Sequence, residues 1–225
     1  MASISVVYQD DDLVVVNKPP GVLSQKDRTG DPDVVELVKQ KLSQEGARDP
    51  FVGLVHRLDR PASGLMVLAL RPAIAADLSE QFREHHTEKW YFALVEGKLS
   101  GIGEMEDYLT KEDASASVVD VHHPEGKLAR LSWQAIAYEA PATLVHVQLK
   151  TGRSHQVRVQ LSHRGHPIVG DFRYGATQEL DGQNLALHAY RLAIEHPAHR
   201  KGMHWTAAPP PSWLPAFEPH IQSFL

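Results

Sequence analysis

The apolar residues of this chain fall into short blocks with two different periods. Residues 13–16 form a β-branched run between Asp10-Asp11-Asp12 and Pro19-Pro20-Gly21, which predicts a strand ending in a turn. Asp31-Pro32-Asp33 then opens a helix in which Val35, Val38 and Leu42 recur at helical spacing. Residues 43–50 are mostly polar and predict a loop. Residues 65–70 predict a buried strand; Pro72 suits the first position of the helix that follows, and Ala75, Leu78 and Phe82 form its stripe. Further strands are predicted over residues 90–95, 131–138 and 144–149, the last two paired. Residues 101–126, with Asp107, Lys111, Glu112 and Asp113, are polar and predict a hairpin or an excursion over the functional site. Strands interspersed with helices, without repeat or low-complexity tract, place the chain in the α+β class.

One late block has a different character. Residues 151–171 read TGRSHQVRVQLSHRGHPIVGD, and Ser154 is placed to cap a short helix. Val157 and Leu161, four apart, face the core, and Gly165 with Pro167 marks the stop. Arg158 lies beside that apolar pair, so it is partly buried and needs an anionic partner. Asp59 is the carboxylate expected to supply it.

Composition narrows the possibilities. At 225 residues and 42% hydrophobic, the chain can bury a full core as one domain, residues 1–225. With no cysteine it has neither disulfides nor Cys-ligated zinc, which fits a reducing cytoplasm. The start, Met1-Ala2-Ser3-Ile4-Ser5, lacks the basic and apolar regions of a secretory signal. No apolar run approaches the roughly 20 residues that a membrane helix needs. A cytoplasmic protein without membrane contact is expected. The net charge of −5 argues against nonspecific coating of DNA or RNA. Yet Lys150, Arg153, Arg158 and Arg164 occur between residues 150 and 166 with no acid among them. A basic patch on an acidic body suits selective recognition of structured RNA.

The densest chemistry lies in residues 53–65, GLVHRLDRPASGL, where Asp59 stands between Arg57 and Arg60. Flanking positive charge favours the ionised carboxylate. Held on a tight connection between apolar segments, such a group can attack an electrophile or take a proton.

Taken with TGRSHQVRVQLSHRGHPIVGD, the run HRLDRPASGL resembles the RluA-type RNA pseudouridine synthases. The likeness continues in the opening YQDDDLVVVNKPPG, in KWYFALVEG at residues 89–97, and in LHAYRL, His196-Pro197 and Ala207-Ala208-Pro209-Pro210-Pro211 near the end. The sequence departs from the family pattern at Ala62, where Thr is usual, and at Gln160, where His is frequent. The resemblance implies a long, mostly antiparallel bent sheet with flanking helices and a central cleft. It also implies that Asp59 is the essential aspartate, Tyr91 the tyrosine that packs on the target base, Arg158 the partner of the aspartate, and Arg57 the residue that displaces the uridine. The opening strand begins almost at Met1, so no preceding S4-type RNA-binding domain is expected.

Converting uridine to pseudouridine breaks the N1–C1′ bond and rejoins the base through C5, with no redox change. No cofactor is therefore expected. Arg57, Arg60, Lys150, Arg153 and His155 are expected to contact RNA, a stem-loop of transfer or ribosomal RNA bound by a monomer. Among the 14 histidines, His155, His163 and His166 come closest to a metal set, but no acid accompanies them and no metal is expected. The alternatives are a noncatalytic RNA-binding or chaperone protein on the same fold, and a metal-dependent nuclease.

Overall fold

A computed structural model describes residues 4–112, 115–182, 184–213 and 215–225. Met1, Ala2, Ser3 and Asp113, named above, lie outside the described residues. In chain order the elements begin β1 (Ser5–Gln9), β2 (Leu13–Lys18), α1 (Val34–Gln44), β3 (Gly53–Leu54), β4 (Ser63–Ala69) and α2 (Pro72–Arg83). They continue with β5 (Glu88–Glu96), β6 (Ile102–Glu112), β7 (Ser115–Val119), β8 (Lys127–Glu139), β9 (Ala142–Leu149) and α3 (Gln156–His163). The chain ends with β10 (Leu187–Glu195), β11 (Gly202–Thr206) and α4 (Glu218–Gln222). The interspersed order is that of the α+β class. No helix among the described residues is long and apolar enough to cross a membrane.

The chain divides into two compact units, residues 1–88 with 189–207, and residues 89–188 with 208–225. In the first unit β2 lies between β1 and β4, antiparallel to both, and β10 carries β11. One face of this sheet buries Leu13, Val15, Leu65, Val67, Leu192 and Ile194 under Ile74 and Leu78 of α2. The intervening positions Val14, Val16, Met66 and Leu68 are buried as well, so these two strands are apolar on both faces. Asp33 caps α1, accepting a hydrogen bond from the Glu36 N–H at 3.0 Å. Its buried stripe is Val34, Leu37, Val38 and Leu42, so the apolar face is rotated from the expected one and leaves Val35 only half-buried. Pro72 begins α2, as expected.

The second unit is an antiparallel sheet in which β9 pairs with β5 and β8, and β8 with β6. β6 and β7 form a hairpin that accounts for most of residues 101–126. The helix α3 is buried along Gln156–Leu161, not merely on the Val157–Leu161 side. Ser154 does not cap it. His155 occupies the cap position in the left-handed region, φ 53°, with no side-chain capping bond. Gln156 does the local work instead: its Oε1 accepts from the Arg153 N–H at 3.0 Å and from Thr151 Oγ1 at 2.8 Å. Its Nε2 donates to the Arg130 carbonyl at 3.0 Å.

Candidate active site

In the first unit, Asp59 sits half-buried on the connection between β3 and β4, and its neighbours are anchored one by one. Ser24 Oγ donates to the Leu58 carbonyl at 2.7 Å and accepts from the Leu58 N–H at 3.1 Å. The Ala62 N–H closes the turn on the Asp59 carbonyl at 3.1 Å. Ala62 is itself buried, which leaves little room for a larger residue. The Gly21 N–H reaches the Arg60 carbonyl at 2.8 Å. Gly64 follows the turn with φ 121°, and a Cβ there would lie 2.4 Å from the Ala189 backbone N and O, so only glycine fits.

Lys18 is the hub of these anchors. Its side chain is fully buried, and Nζ donates to the carbonyls of Pro19 (3.1 Å), Val22 (2.8 Å) and Arg60 (3.1 Å). Burial pulls its pKa down to about 7, against the attraction of nearby Asp59. Lys18 thus ties the opening strand to the Asp59 turn and places a cation beside the carboxylate. In the sequence this lysine is one letter of the opening YQDDDLVVVNKPPG motif, with nothing to mark its role.

The flanking arginines differ. Arg57 is exposed. Arg60, expected to contact RNA, is occupied within the protein: Nη2 pairs with Asp31 at 2.6 Å and Nε donates to the Gly21 carbonyl at 3.0 Å. It braces the turn to residues 21–31.

The second unit holds Tyr91 and Arg158. Tyr91 is a buried residue of β5 opposite Val147, on the face away from Trp90 and Phe92. Arg158 is more deeply buried than expected, and two of its nitrogens are held by Asp171, not assigned in the sequence. Nε–Oδ2 is 2.7 Å and Nη2–Oδ1 2.8 Å, with the side chains 5% and 1% exposed. The guanidinium also lies over the Tyr174 ring, 4.9 Å from its centroid. The Tyr174 hydroxyl pairs with His155 Nδ1 at 2.7 Å and accepts from the Ala116 N–H at 2.8 Å. This lattice joins α3 to the β7 strand. It makes His155 a packing partner in addition to its expected place near RNA.

The run of bases without acids looks different once folded. Arg158 is matched by Asp171, and Arg164 by Asp107 at 2.8 Å. Burial pushes the Asp107 carboxyl up, but hydrogen bonds from Arg164 and Gln160 hold it below its usual range. Gln160 donates to Asp107 at 2.6 Å, so the departure at this position keeps a donor for the acid. Arg153 donates from Nε to the Leu128 carbonyl at 2.9 Å, and exposed Lys150 pairs with Gln148. Lys89, the first residue of the KWYFALVEG motif, adds a half-buried cation near Gly152, its pKa lowered by desolvation.

One group of possible metal ligands occurs among the described residues, Asp12, His196 and His199, whose ligand atoms lie within 4.8 Å of one another. His155, His163 and His166 are not part of it. His196 Nε2 pairs with Asp10 at 3.0 Å, its Nδ1 accepts from the Ala198 N–H at 3.2 Å, and Arg71 lies 3.1 Å from Asp12. His196 and Asp12 thus already serve the fold, and the His199 ring stacks on His196 with centroids 4.5 Å apart.

Residues 12–163 match the family model described as RNA pseudouridylate synthase. The chain is 39% identical over 208 residues to the dual-specificity RNA pseudouridine synthase RluA of Escherichia coli O6:H1, covering 90% of this chain and 91% of that protein. It is 34% identical over 216 residues to tRNA pseudouridine synthase C of Vibrio cholerae, covering 86% of each. Ribosomal large subunit pseudouridine synthase C of the same organism is 34% identical over 202 residues, and this chain spans only 62% of its length. In fold, human RNA Pseudouridylate Synthase Domain Containing 1 matches with a TM-score of 0.79 over 97% of this chain and 87% of that one, at 24% identity. The chain belongs to the RNA pseudouridylate synthase family, a class of isomerases, and within it to the RluA type.

Proposed function

We propose that this chain isomerises specific uridines to pseudouridine in structured RNA, with Asp59 as the reacting carboxylate. The observation that carries the reading is the bracing of the Asp59 turn at Leu58, Arg60 and Ala62, beside a buried lysine. A group that must meet one ribose carbon gains from being held in place before the substrate arrives. Asp59 acts at the sugar as the N1–C1′ bond breaks. The detached base turns, C5 bonds to C1′, the C5 proton leaves to solvent, and N1 takes up a proton. Atoms are conserved, and no electron donor is consumed. Tyr91 offers a ring for the base and a hydroxyl for the C5 proton, and such transfers contribute about 10²–10⁴-fold. Arg158, held by Asp171, keeps in this reading the role of charge partner to the aspartate.

The RNA is a transfer or ribosomal RNA stem-loop, since relatives of both descriptions match at similar identity. Extruding the uridine costs on the order of a few kcal/mol, and exposed Arg57 has the planar group to fill the gap. Lys150 and Arg153 serve the phosphates, with His155 beside them. The chain works as one catalytic domain, as a monomer in the cytoplasm. No observation favours the noncatalytic reading, and Asp59, Tyr91 and Arg158 are all present.

The test is release of C5 tritium from uridine-labelled RNA. Asp59→Asn should release none while binding RNA nearly as well as wild type, because affinity comes mostly from phosphate contacts. Near-wild-type release would refute the assignment.

A further inference from the structure

The edge of β4 that turns away from β2 is covered unevenly. β2 runs along the other edge throughout, from Leu13 opposite Ala69 to Lys18 opposite Gly64. On the uneven edge, β3 reaches only Ala69 and Leu68, and β10 arrives at the Gly64 end, where Ala189 closes on the glycine. Between these two strands lies the N–H of Val67. It donates to His56 Nε2 at 3.0 Å. A side chain here takes the place of a strand.

We propose that His56 is a positioning residue for Asp59, a neutral imidazole that extends the β3 pairing by one more bond and so sets where the catalytic turn leaves the sheet. An N–H can only donate, so Nε2 must carry a lone pair, and the ring proton sits on Nδ1. The ring is also clamped face to face on Phe82 of α2, centroids 4.3 Å apart and planes at 15°. These contacts tie His56 to the sheet and to the helix above it. Three residues later comes Asp59, already anchored at Leu58 and Arg60 from the β2 side. Lys18 and Ser24 hold the turn from one side of β4, and His56 holds its root from the other. Without the acceptor, the Val67 N–H lacks its partner and the residues between Leu54 and Leu58 lose this tie to the sheet edge. The proposal rests on the reading of Asp59 as the reacting carboxylate.

The acceptor can be removed while the ring is kept. His56→Phe preserves an aromatic side chain for Phe82 and abolishes the bond; His56→Gln restores an oxygen at the same number of bonds from Cα as Nε2. With C5-tritiated RNA at saturation, His56→Phe should lose about 10²-fold in kcat, as displacements near 1 Å do. Its RNA affinity should stay unchanged, and His56→Gln should recover most of the rate. Wild-type turnover in His56→Phe, or a glutamine variant as slow as the phenylalanine one, would overturn the role. Should His56→Phe fail to fold, ¹⁵N spectra of the wild-type imidazole decide: an unprotonated Nε2 coupled to the Val67 amide supports the clamp, and a protonated Nε2 overturns it. An Asp59→Asn control separates the two ideas. If that variant keeps turnover, the reading of Asp59 fails while the tautomer stands. If it is dead and His56→Phe is fully active, the positioning role fails alone.

Discussion

Two buried cations, one in each unit, are held in opposite ways. Lys18 is surrounded by neutral acceptors, three backbone carbonyls, and its charge is opposed by burial. Arg158 is met by a full negative charge, with both Asp171 oxygens on its guanidinium and an aromatic face against it. The ammonium is a compact point donor that can gather carbonyls from different segments, whereas the guanidinium is a planar fork matched to a carboxylate. The difference has consequences. The Lys18 hub ties strands and turns together and can change its charge near neutral pH. In the Arg158 pair each member depends on the other to remain buried.

The largest expected effect follows from that dependence. Arg158→Met leaves Asp171 buried without its partner, and breaking such a pair costs about 3–5 kcal/mol. Chemical denaturation should show that loss, with turnover almost abolished. A variant that melts like wild type would mean that Asp171 is rehydrated or neutralised in the fold, and the contrast with Lys18 would collapse.

Lys18→Met should cost less, about 1–3 kcal/mol, because the carbonyls of Pro19 and Val22 lose a donor while Arg60 keeps its bond from the Gly21 N–H. The sharper readout is pH. With a folded pKa of about 7 against an ordinary value of 10.5, the unfolded chain binds more protons between those limits. Wild-type stability should therefore rise with pH from about 7 towards 10.5, by up to about 1.4 kcal/mol per unit, and Lys18→Met should lack that slope. Identical pH profiles for the two proteins would show that the three carbonyls keep Lys18 an ordinary ammonium.

Much of this arrangement was legible in the sequence, for identifiable reasons. β2, β4 and β5 are β-branched or apolar runs with clear punctuation, and they are buried along most of their length. β10 and β11 were not read as strands, because His188, Tyr190, Arg191 and His204 interrupt the apolar pattern while the neighbouring strands supply the burial. Asp59, Tyr91 and Arg158 stood out through their motifs. Lys18 did not, because its partners are backbone carbonyls, which leave no trace in side-chain identity. Asp171 closed the block that drew attention to Arg158, yet a turn of 13 residues had to fold back before the two could pair. The basic run misled for the same reason, since the acid that meets Arg164 comes from Asp107 on a distant strand.

The smallest expected effect separates the two arginines beside Asp59. The Arg60–Asp31 pair is nearly half-exposed, 45% and 46%, so its removal should change stability by only about 0.2–1 kcal/mol. Arg60 spends its guanidinium on Asp31 and on the Gly21 carbonyl, so Arg60→Ala should leave the salt dependence of RNA binding as it is. Arg57 is exposed, and Arg57→Ala should reduce the slope of log affinity against log salt by about one. Titrations of one labelled stem-loop at several salt concentrations would compare the two variants directly. If Arg60→Ala flattened the slope as much as Arg57→Ala, Arg60 would let go of Asp31 when RNA binds. The turn would then be braced by main-chain bonds, Ser24 and Lys18, and the contrast between carbonyl-held and carboxylate-held cations would extend to the RNA-bound enzyme.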